Sequence, residues 1–150
     1  MGDEQDVQDV RDEMPESVTR YVDVDADVDA VWEAVADPER RRLWLDDDDA
    51  AGRLVHVERI DEGRMLSWTW WHPGDEGTAS QVDVQLTQLD GGGTRVVVHE
   101  RMLFTAANAG AGMARAQARS GNAWGTRLFG LQLLVAAAGA LAAGLVIPAR

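Results

Sequence analysis

The chain contains no cysteine, which excludes a disulfide framework, thiolate catalysis and a zinc–thiolate site. It also contains no lysine, so all 14 basic residues are arginine, and Ile, Asn, Phe and Tyr occur only 2, 2, 2 and 1 times. These scarce residues share AT-rich codons, so a GC-rich genome explains their scarcity without any functional cause. A cytoplasm of high salt concentration is the alternative explanation, and it would also favour the net charge of −12.

The negative charge is concentrated near the N-terminus, where residues 3–16 hold seven acids and one arginine. Such a segment is too polar to bury, so residues 1–16 are predicted to be a disordered acidic tail and residues 17–150 a single domain. The tail lacks the basic and apolar regions of a signal peptide, which favours a cytoplasmic protein. Nucleic-acid binding needs a basic surface, so the net negative charge of the chain argues against it. The only basic run, Arg40–Arg42, is interpreted as a solvated helix face.

A strand followed by two short helices is predicted near the start of the domain. Residues 17–25 alternate as a strand does. Asp27 is placed to cap the first helix and Asp37 the second, with Pro38 at the first position of the second helix. One face of the first helix is apolar at helical spacing, and its members are Val28, Val31, Trp32 and Val35.

Antiparallel strands and one long helix are predicted for the rest of the chain. The strand segments are 54–60, 65–71, 80–89 and 94–102, separated by Gly-rich or acidic turns. Residues 105–123 show no clear period and fit a flexible loop or a frayed helix. An apolar helix is predicted from Trp124 to about Val146. This order indicates an α+β domain in which a curved antiparallel sheet grips a terminal helix, leaving an apolar pocket between them.

Three segments resemble the START-like superfamily called SRPBCC, in particular the group named for the activator of heat-shock-protein-90 ATPase. They read VWEAVADPERRRLWL, VERIDEGRMLSWTWW and GGGTRVVVHER. The resemblance covers roughly residues 18–134 and implies the helix-grip (START-like) fold, with two short helices and a long C-terminal helix. It also implies a domain that holds an apolar molecule.

The chain departs from that family between the second helix and the hairpin. Many members carry one or two further strands there, but only Asp46–Arg53 separates Leu45 from Leu54. The sheet is therefore expected to be smaller and the pocket more open on that side. The acidic run Asp46–Asp49 lacks the alternating ligands of a calcium loop, and it is interpreted as a solvated loop.

Tryptophan supplies the best candidates for the pocket walls. Trp68 and Trp70 share one strand face with Leu66, whereas Trp71 lies on the opposite face. Core packing is the favoured interpretation for each of them. If a pocket exists, Trp68, Trp70 and Trp124 line it. Leu128, Leu131 and Val135 follow Trp124 on the same helix face and are expected to line or cover the pocket.

Glu100 is the charged residue of most interest. It continues the strand face of Val96 and Val98, where a carboxylate would be desolvated and could act as an acid or base. The favoured alternative is that the register shifts near the strand end, so that Glu100 reaches solvent or pairs with an arginine.

No catalytic constellation is visible in the sequence. His56, His72 and His99 are dispersed, with His99 facing outward, and no spacing is typical of a metal site. The expected function is binding of an apolar or aromatic small molecule, without catalysis and without a cofactor. A polyketide cyclase-like enzyme, with Glu100 in the pocket, and a co-chaperone-like protein-interaction module are the alternatives.

The apolar stretch at the C-terminus has two interpretations. Leu128–Ile147 is 20 residues long with only Gln132 polar, a length that could span a bilayer. Three glycines weaken that interpretation, and a core helix is favoured over a membrane anchor. Residues 136–147 are apolar on all sides. They are expected to outrun the sheet and could pack on a second copy, giving a homodimer.

Overall fold

A computed structural model describes residues 17–103 and 111–142, with the side chains of 76–77, 111–122 and 140–142 left out of the description. The predicted acidic tail lies outside these residues. The elements follow in the order β1 (Ser17–Val24), α1 (Val28–Ala36), α2 (Pro38–Trp44), α3 (Asp48–Ala51), β2 (Leu54–Asp61), β3 (Met65–His72), β4 (Asp75–Gln88), β5 (Thr94–Met102) and α4 (Ala111–Ala142).

The strands form one antiparallel sheet in the order β1-β5-β4-β3-β2, which confirms the predicted α+β helix-grip fold. Gly63 (φ 75°) turns the β2–β3 hairpin and Gly74 (φ 80°) turns the β3–β4 hairpin, where an L side chain would be strained. β4 begins at Asp75 rather than at the predicted residue 80. The Pro73–Gly74 turn is enough to join the two strands, because His72 already pairs with Asp75.

The inner face of the sheet carries the core. The predicted alternation is confirmed, because the inward residues of β3, β4 and β5 are almost fully buried. They are Leu66, Trp68, Trp70, Val82, Val84, Leu86, Val96 and Val98. His99 faces the other side, where its Nδ1 lies 2.8 Å from the hydroxyl of Thr19.

Both predicted helix caps are present. The Asp27 carboxylate accepts from the Ala30 amide at 2.9 Å, and Asp37 accepts from the Glu39 amide at 3.2 Å. The interpretation of Arg40–Arg42 as a solvated face is wrong for Arg41, which is 8% exposed. Its guanidinium donates to the carbonyls of Val35 and Ala36 at the end of α1, at 2.9 and 3.1 Å.

The segment between α2 and β2 holds the short helix α3 and no strand, as the spacing from Leu45 to Leu54 predicts. β2 is therefore an edge strand, and among the described elements it makes its main contacts with β3 alone. The concave face of the sheet consequently ends at a strand that no further strand covers.

α4 begins at Ala111, so of the two interpretations of residues 105–123, a loop or a frayed helix, a helix is the one found for residues 111–123. From Trp124 onward the predicted face is confirmed, with Trp124, Leu128, Leu131 and Val135 all buried. The helix contacts β1, α1 and α2. Residues 136–139 are exposed, so this part of the helix runs past the sheet. The contact with a second copy stays a prediction.

The helices among residues 17–103 and 111–142 include none that is long and apolar enough to cross a bilayer. The last residues of the stretch interpreted above as a candidate span, 143–147, lie outside that part of the chain.

Candidate functional site

Three indoles meet between the sheet and α4. Trp68 and Trp70 belong to β3, and Trp124 belongs to α4. All three side chains are at most 1% exposed. Trp70 and Trp124 stack with ring centroids 6.0 Å apart, and Trp68 meets Trp70 edge-on at 5.7 Å. The structure therefore brings the predicted wall residues together, and in this state the three rings pack against one another.

Glu100 keeps the register of β5 and points inward. It lies between Val18 of β1 and Val82 of β4, and it is 3% exposed. The expectation that it reaches solvent through a register shift is wrong. The ladder stays regular through Ser80↔Met102, so the alternation that places Val98 inward also places Glu100 inward.

Within the described part of the chain, the Glu100 carboxylate accepts hydrogen bonds from three neutral donors. The indole nitrogen of Trp70 donates to Oε2 at 3.0 Å, and that of Trp124 donates to Oε1 at 2.7 Å. The Ser80 hydroxyl also donates to Oε2, and it accepts from Trp70 Nε1 at 2.9 Å. A buried carboxyl group is costly unless it is hydrogen-bonded, so these donors help to offset the cost of burying Glu100.

Arg127 carries the positive charge nearest this cluster. Its side chain is 3% exposed, and its guanidinium carbon lies 4.7 Å from the ring centroid of Trp124 and 5.3 Å from that of Trp70. Asp47 accepts two hydrogen bonds from it, at 2.6 and 2.9 Å, and Asp49 accepts a third at 3.2 Å. This network fastens α3 to α4 beside the indoles.

The ion pairs shift the pKa values of their members. Burial alone lowers the pKa of Arg127, but the hydrogen bond and charge of Asp47, with the charges of Glu100 and Asp49, raise it above its usual value. The hydrogen bonds from Arg127 lower the pKa of Asp47 to about 2, against the opposing effect of its partial burial. The Asp47–Arg127 pair is therefore fully charged at neutral pH.

The acidic run Asp46–Asp49 is thus more than the solvated loop expected. Besides Arg127, Asp49 contacts Arg53 at 3.2 Å and His72 at 3.0 Å. Burial raises the pKa of Asp49, but the hydrogen bonds and positive charges of these partners outweigh it and lower the pKa overall. Arg53 in turn lies with its guanidinium carbon 5.0 Å from the Trp70 ring centroid. Trp70 consequently has two arginines against it, Arg53 from the turn before β2 and Arg127 from α4.

The inner face of β2 is open. Directly opposed residues of an antiparallel pair share a face, so Val55 opposite Trp70, Val57 opposite Trp68 and Ile60 opposite Leu66 all point inward. A bulge at Glu58 shifts the alternation and turns Ile60 inward. These three residues, which we call the apolar row, are 46%, 37% and 62% exposed. Arg41 of α2 and Trp124 of α4 lie against tryptophans of β3, whereas the apolar row stays exposed.

Trp68 lies next to the apolar row and has two unusual features. Its indole N–H is buried and finds no hydrogen-bond acceptor among the residues that the structure describes. The guanidinium carbon of Arg41, from α2, lies 5.5 Å from the Trp68 ring centroid. Burial lowers the pKa of Arg41, an effect strengthened by the charge of Arg42.

Among the six predicted site residues, Trp68, Trp70, Glu100 and Trp124 form the cluster described above. Leu128 and Leu131 are buried on the same face of α4, at 2% and 0% exposure. Sequence reasoning missed Ser80, Arg127 and Arg41. Ser80 alternates with Val82 and Val84, and Arg127 follows Trp124 by three positions, so a search for polar residues on apolar faces would have found both.

The described residues contain no group of three His, Asp or Glu side chains that could hold a metal ion. The chemistry visible at this site is therefore that of one buried carboxylate, its hydroxyl and indole donors, and two buried guanidinium groups.

The family model of the Activator of Hsp90 ATPase homolog 1-like proteins matches residues 25–134, or 110 of the 150 residues. The chain belongs to this family. No curated protein matches it. Membership agrees with the START-like resemblance of the three motifs and with the helix-grip sheet.

Solved structures share the fold at low sequence identity. CalU16 from Micromonospora echinospora is 21% identical, with a TM-score of 0.61 over 79% of this chain and 75% of its own. Protein MLL2253 from Mesorhizobium loti is 19% identical, with a TM-score of 0.63 over 79% of this chain and 96% of its own. DynU16, in the dynemicin biosynthetic locus, is 24% identical with a TM-score of 0.61 over 78% of this chain. The chain spans only 46% of DynU16. Sequence identities this low show that the fold is shared, and they show nothing about function.

Proposed function

We propose that the domain binds an apolar or aromatic small molecule on the inner face of the sheet and catalyses no reaction. The observation that carries the proposal is the exposed apolar row, Val55, Val57 and Ile60, which lies on the concave face beside the buried indoles. Exposed apolar side chains on a concave face, next to a fixed aromatic wall, are typical of ligand sites. The family to which the chain belongs supports the same function.

The ligand would lie on the apolar row with Trp68 at its inner end. Behind Trp68, the wall between the sheet and α4 would consist of Trp70, Trp124, Leu128 and Leu131. Covering the row removes apolar surface from water on both partners, which contributes roughly 25 cal/mol for each Å² buried. The absence of a strand between α2 and β2 is what leaves this side accessible.

Adjacent residues of β2 provide a matched test. Val55 points inward and Leu54, opposite Trp71, points outward, yet their exposures are similar at 46% and 49%. Titration with 2-ethylnaphthalene, followed by intrinsic Trp fluorescence, should saturate with the parent protein. Val55→Ser should weaken this binding severalfold, and Leu54→Ser should leave it unchanged. Equal effects of the two substitutions, or a linear response without saturation, would exclude the proposed site.

Catalysis by Glu100 is the second candidate function, because Glu100 is buried and hydrogen-bonded to Ser80 and two indoles. A buried carboxylate in such a setting is a candidate general base for a carbon acid, as in the ring closure of a polyketide. The test is exchange of the methyl protons of 2-acetylnaphthalene in D₂O, measured by NMR. Acceleration that is lost in Glu100→Gln, while binding is retained, would favour the enzyme. No acceleration favours binding alone.

A further inference from the structure

Two positively polarised groups, an indole N–H and a guanidinium, lie at Trp68 beside the apolar row, and neither has an acidic hydrogen-bond partner among the described residues. The first is the indole N–H of Trp68, which is fully buried and has no acceptor among the described residues. The second is the Arg41 guanidinium, 5.5 Å from the same ring. An unsatisfied buried N–H costs about 1–3 kcal/mol, so its retention indicates an acceptor supplied from elsewhere.

Comparison with the other buried tryptophans shows that Trp68 is the exception. The indole nitrogens of Trp70 and Trp124 donate to Glu100. Trp44 donates to the Ala34 carbonyl at 2.9 Å, and Trp32 donates to Glu62 at 3.3 Å. Among the described residues, each of these four indoles therefore has an acceptor and Trp68 has none.

Arg41 and Arg127, the buried arginines among the described side chains, also differ in whether they have an acidic partner. Arg127 is paired with Asp47 and Asp49. Within the described part of the chain, Arg41 forms no ion pair, and its hydrogen bonds go to the main-chain carbonyls of Val35 and Ala36. Neutral carbonyls leave the guanidinium without a hydrogen-bonded counter-ion. A buried cation beside an unsatisfied N–H is suited to an anionic oxygen group.

We propose that the ligand of this domain is an aromatic or apolar carboxylate, whose carboxylate is bound by Arg41 and Trp68 while its apolar body covers the apolar row. This inference rests on the proposed binding function and adds the chemical class of the ligand. Entry is from the open side, where Val57, directly opposite Trp68, is 37% exposed. Arg41, whose side chain is long and flexible, must move to admit the carboxylate.

The net charge of the protein makes tighter binding of an anion a stringent test of the proposal. A net charge of −12 repels anions at long range. An anion that nevertheless binds more tightly than its neutral counterpart must meet a local cation. Among the described groups near Arg41, Arg42 adds positive charge, and the charge of Asp37, at the start of α2, partly offsets it.

The test compares 2-naphthoate with 2-ethylnaphthalene by titration calorimetry, since the two share a ring system and differ in the carboxylate. The carboxylate should bind at least about tenfold more tightly, equivalent to ~1.4 kcal/mol. Arg41→Gln should remove this advantage, whereas Arg42→Gln, the same charge change at an exposed neighbour on α2, should preserve it. Trp68→Phe should reduce the advantage, and Trp71→Phe on the outer face should not.

If Arg41→Gln destabilises α1, its loss of binding cannot be interpreted. NMR of the parent protein provides a second measurement that does not need this variant. The indole N–H resonance of Trp68, assigned by its loss in Trp68→Phe, should move downfield on adding 2-naphthoate to the parent protein, because the N–H gains an acceptor, whereas 2-ethylnaphthalene should cause no downfield shift. Saturable binding of both molecules with equal affinity and no shift would overturn the carboxylate and leave the proposed function standing. Binding of neither molecule would overturn both.

Discussion

Trp124 of α4 donates its indole N–H to Glu100 of β5 at 2.7 Å, in a contact sealed from solvent. The terminal helix and the last strand are thus joined by a charge-assisted hydrogen bond in addition to apolar packing. Because a buried carboxylate depends on its donors, and the donors depend on it, the contact couples the position of α4 to the inner face of the sheet.

Glu100→Ala should lower the free energy of unfolding by about 3 kcal/mol or more. The substitution leaves the buried donors of Trp124 and Ser80 without their acceptor and leaves Trp70 with the Ser80 hydroxyl alone, and each unsatisfied donor costs about 1–3 kcal/mol. Urea unfolding followed by Trp fluorescence measures the change. Glu58→Ala, at an exposed carboxylate that accepts from Thr69, is the control and should change stability little. Equal stability of the two variants would contradict the role given to the Glu100 cluster.

Asp47→Asn should destabilise the protein at neutral pH and have almost no effect near pH 2. Asparagine keeps the helix cap that Asp47 provides to the Ala50 amide and removes only the charge. Because the ion pair with Arg127 lowers the pKa of Asp47 from 3.8 to about 2, its contribution is present above pH 4 and is lost as the pH falls toward about 2. Thermal unfolding across this pH range measures it.

The control for that prediction is Asp27→Asn, which changes the capping residue of α1 in the same way. No arginine among the described side chains hydrogen-bonds to Asp27. Its substitution should therefore show no comparable loss between neutral and acidic pH. A pH-independent effect of Asp47→Asn would mean that the Arg127 pair does not stabilise the fold.

Leu131→Ala should cost about 2–5 kcal/mol of stability, and Leu133→Ala should change it by about 0.5 kcal/mol or less. Leu131 is fully buried under the sheet and Leu133, two positions on, is 55% exposed. The same substitution on the same helix thus separates burial from helix propensity. Denaturant unfolding of the full chain gives the two values. If neither substitution affected unfolding of the sheet, α4 would not be part of the core, and recovery of the full chain in the membrane fraction would then support an anchor.

Deleting residues 1–16 should leave the thermal midpoint nearly unchanged. The prediction follows from the polarity of this segment and its seven acids against one arginine in residues 3–16. Differential scanning calorimetry of the shortened and full chains compares the midpoints. A fall of several degrees, corresponding to roughly 1 kcal/mol for a domain of this size, would show that the segment contributes to the fold.

The elements with strong local periodicity were predictable. Alternation placed Trp68 and Trp70 inward and Trp71 outward, and helical spacing placed Trp124 and Leu131 on the buried face. Where the local signal was weak, the predictions were less accurate. The start of α4 lies in an Ala- and Gly-rich stretch without an apolar period, and β4 extends into residues 75–79, which the Gly and Pro content of this region made appear to be a loop.

The amino-acid sequence by itself determined which faces of the strands and helices are apolar, where α1 and α2 begin, and the family to which the chain belongs. Those features depend on neighbouring residues, whose spacing matches the period of a strand or a helix. Only the tertiary structure decided that Arg127 pairs with Asp47, 80 positions away, that Arg41 is buried against Trp68, and that a bulge turns Ile60 inward. Periodicity can place a charged side chain on an apolar face, but its burial and pairing depend on which partners the packing of distant elements brings within hydrogen-bonding distance.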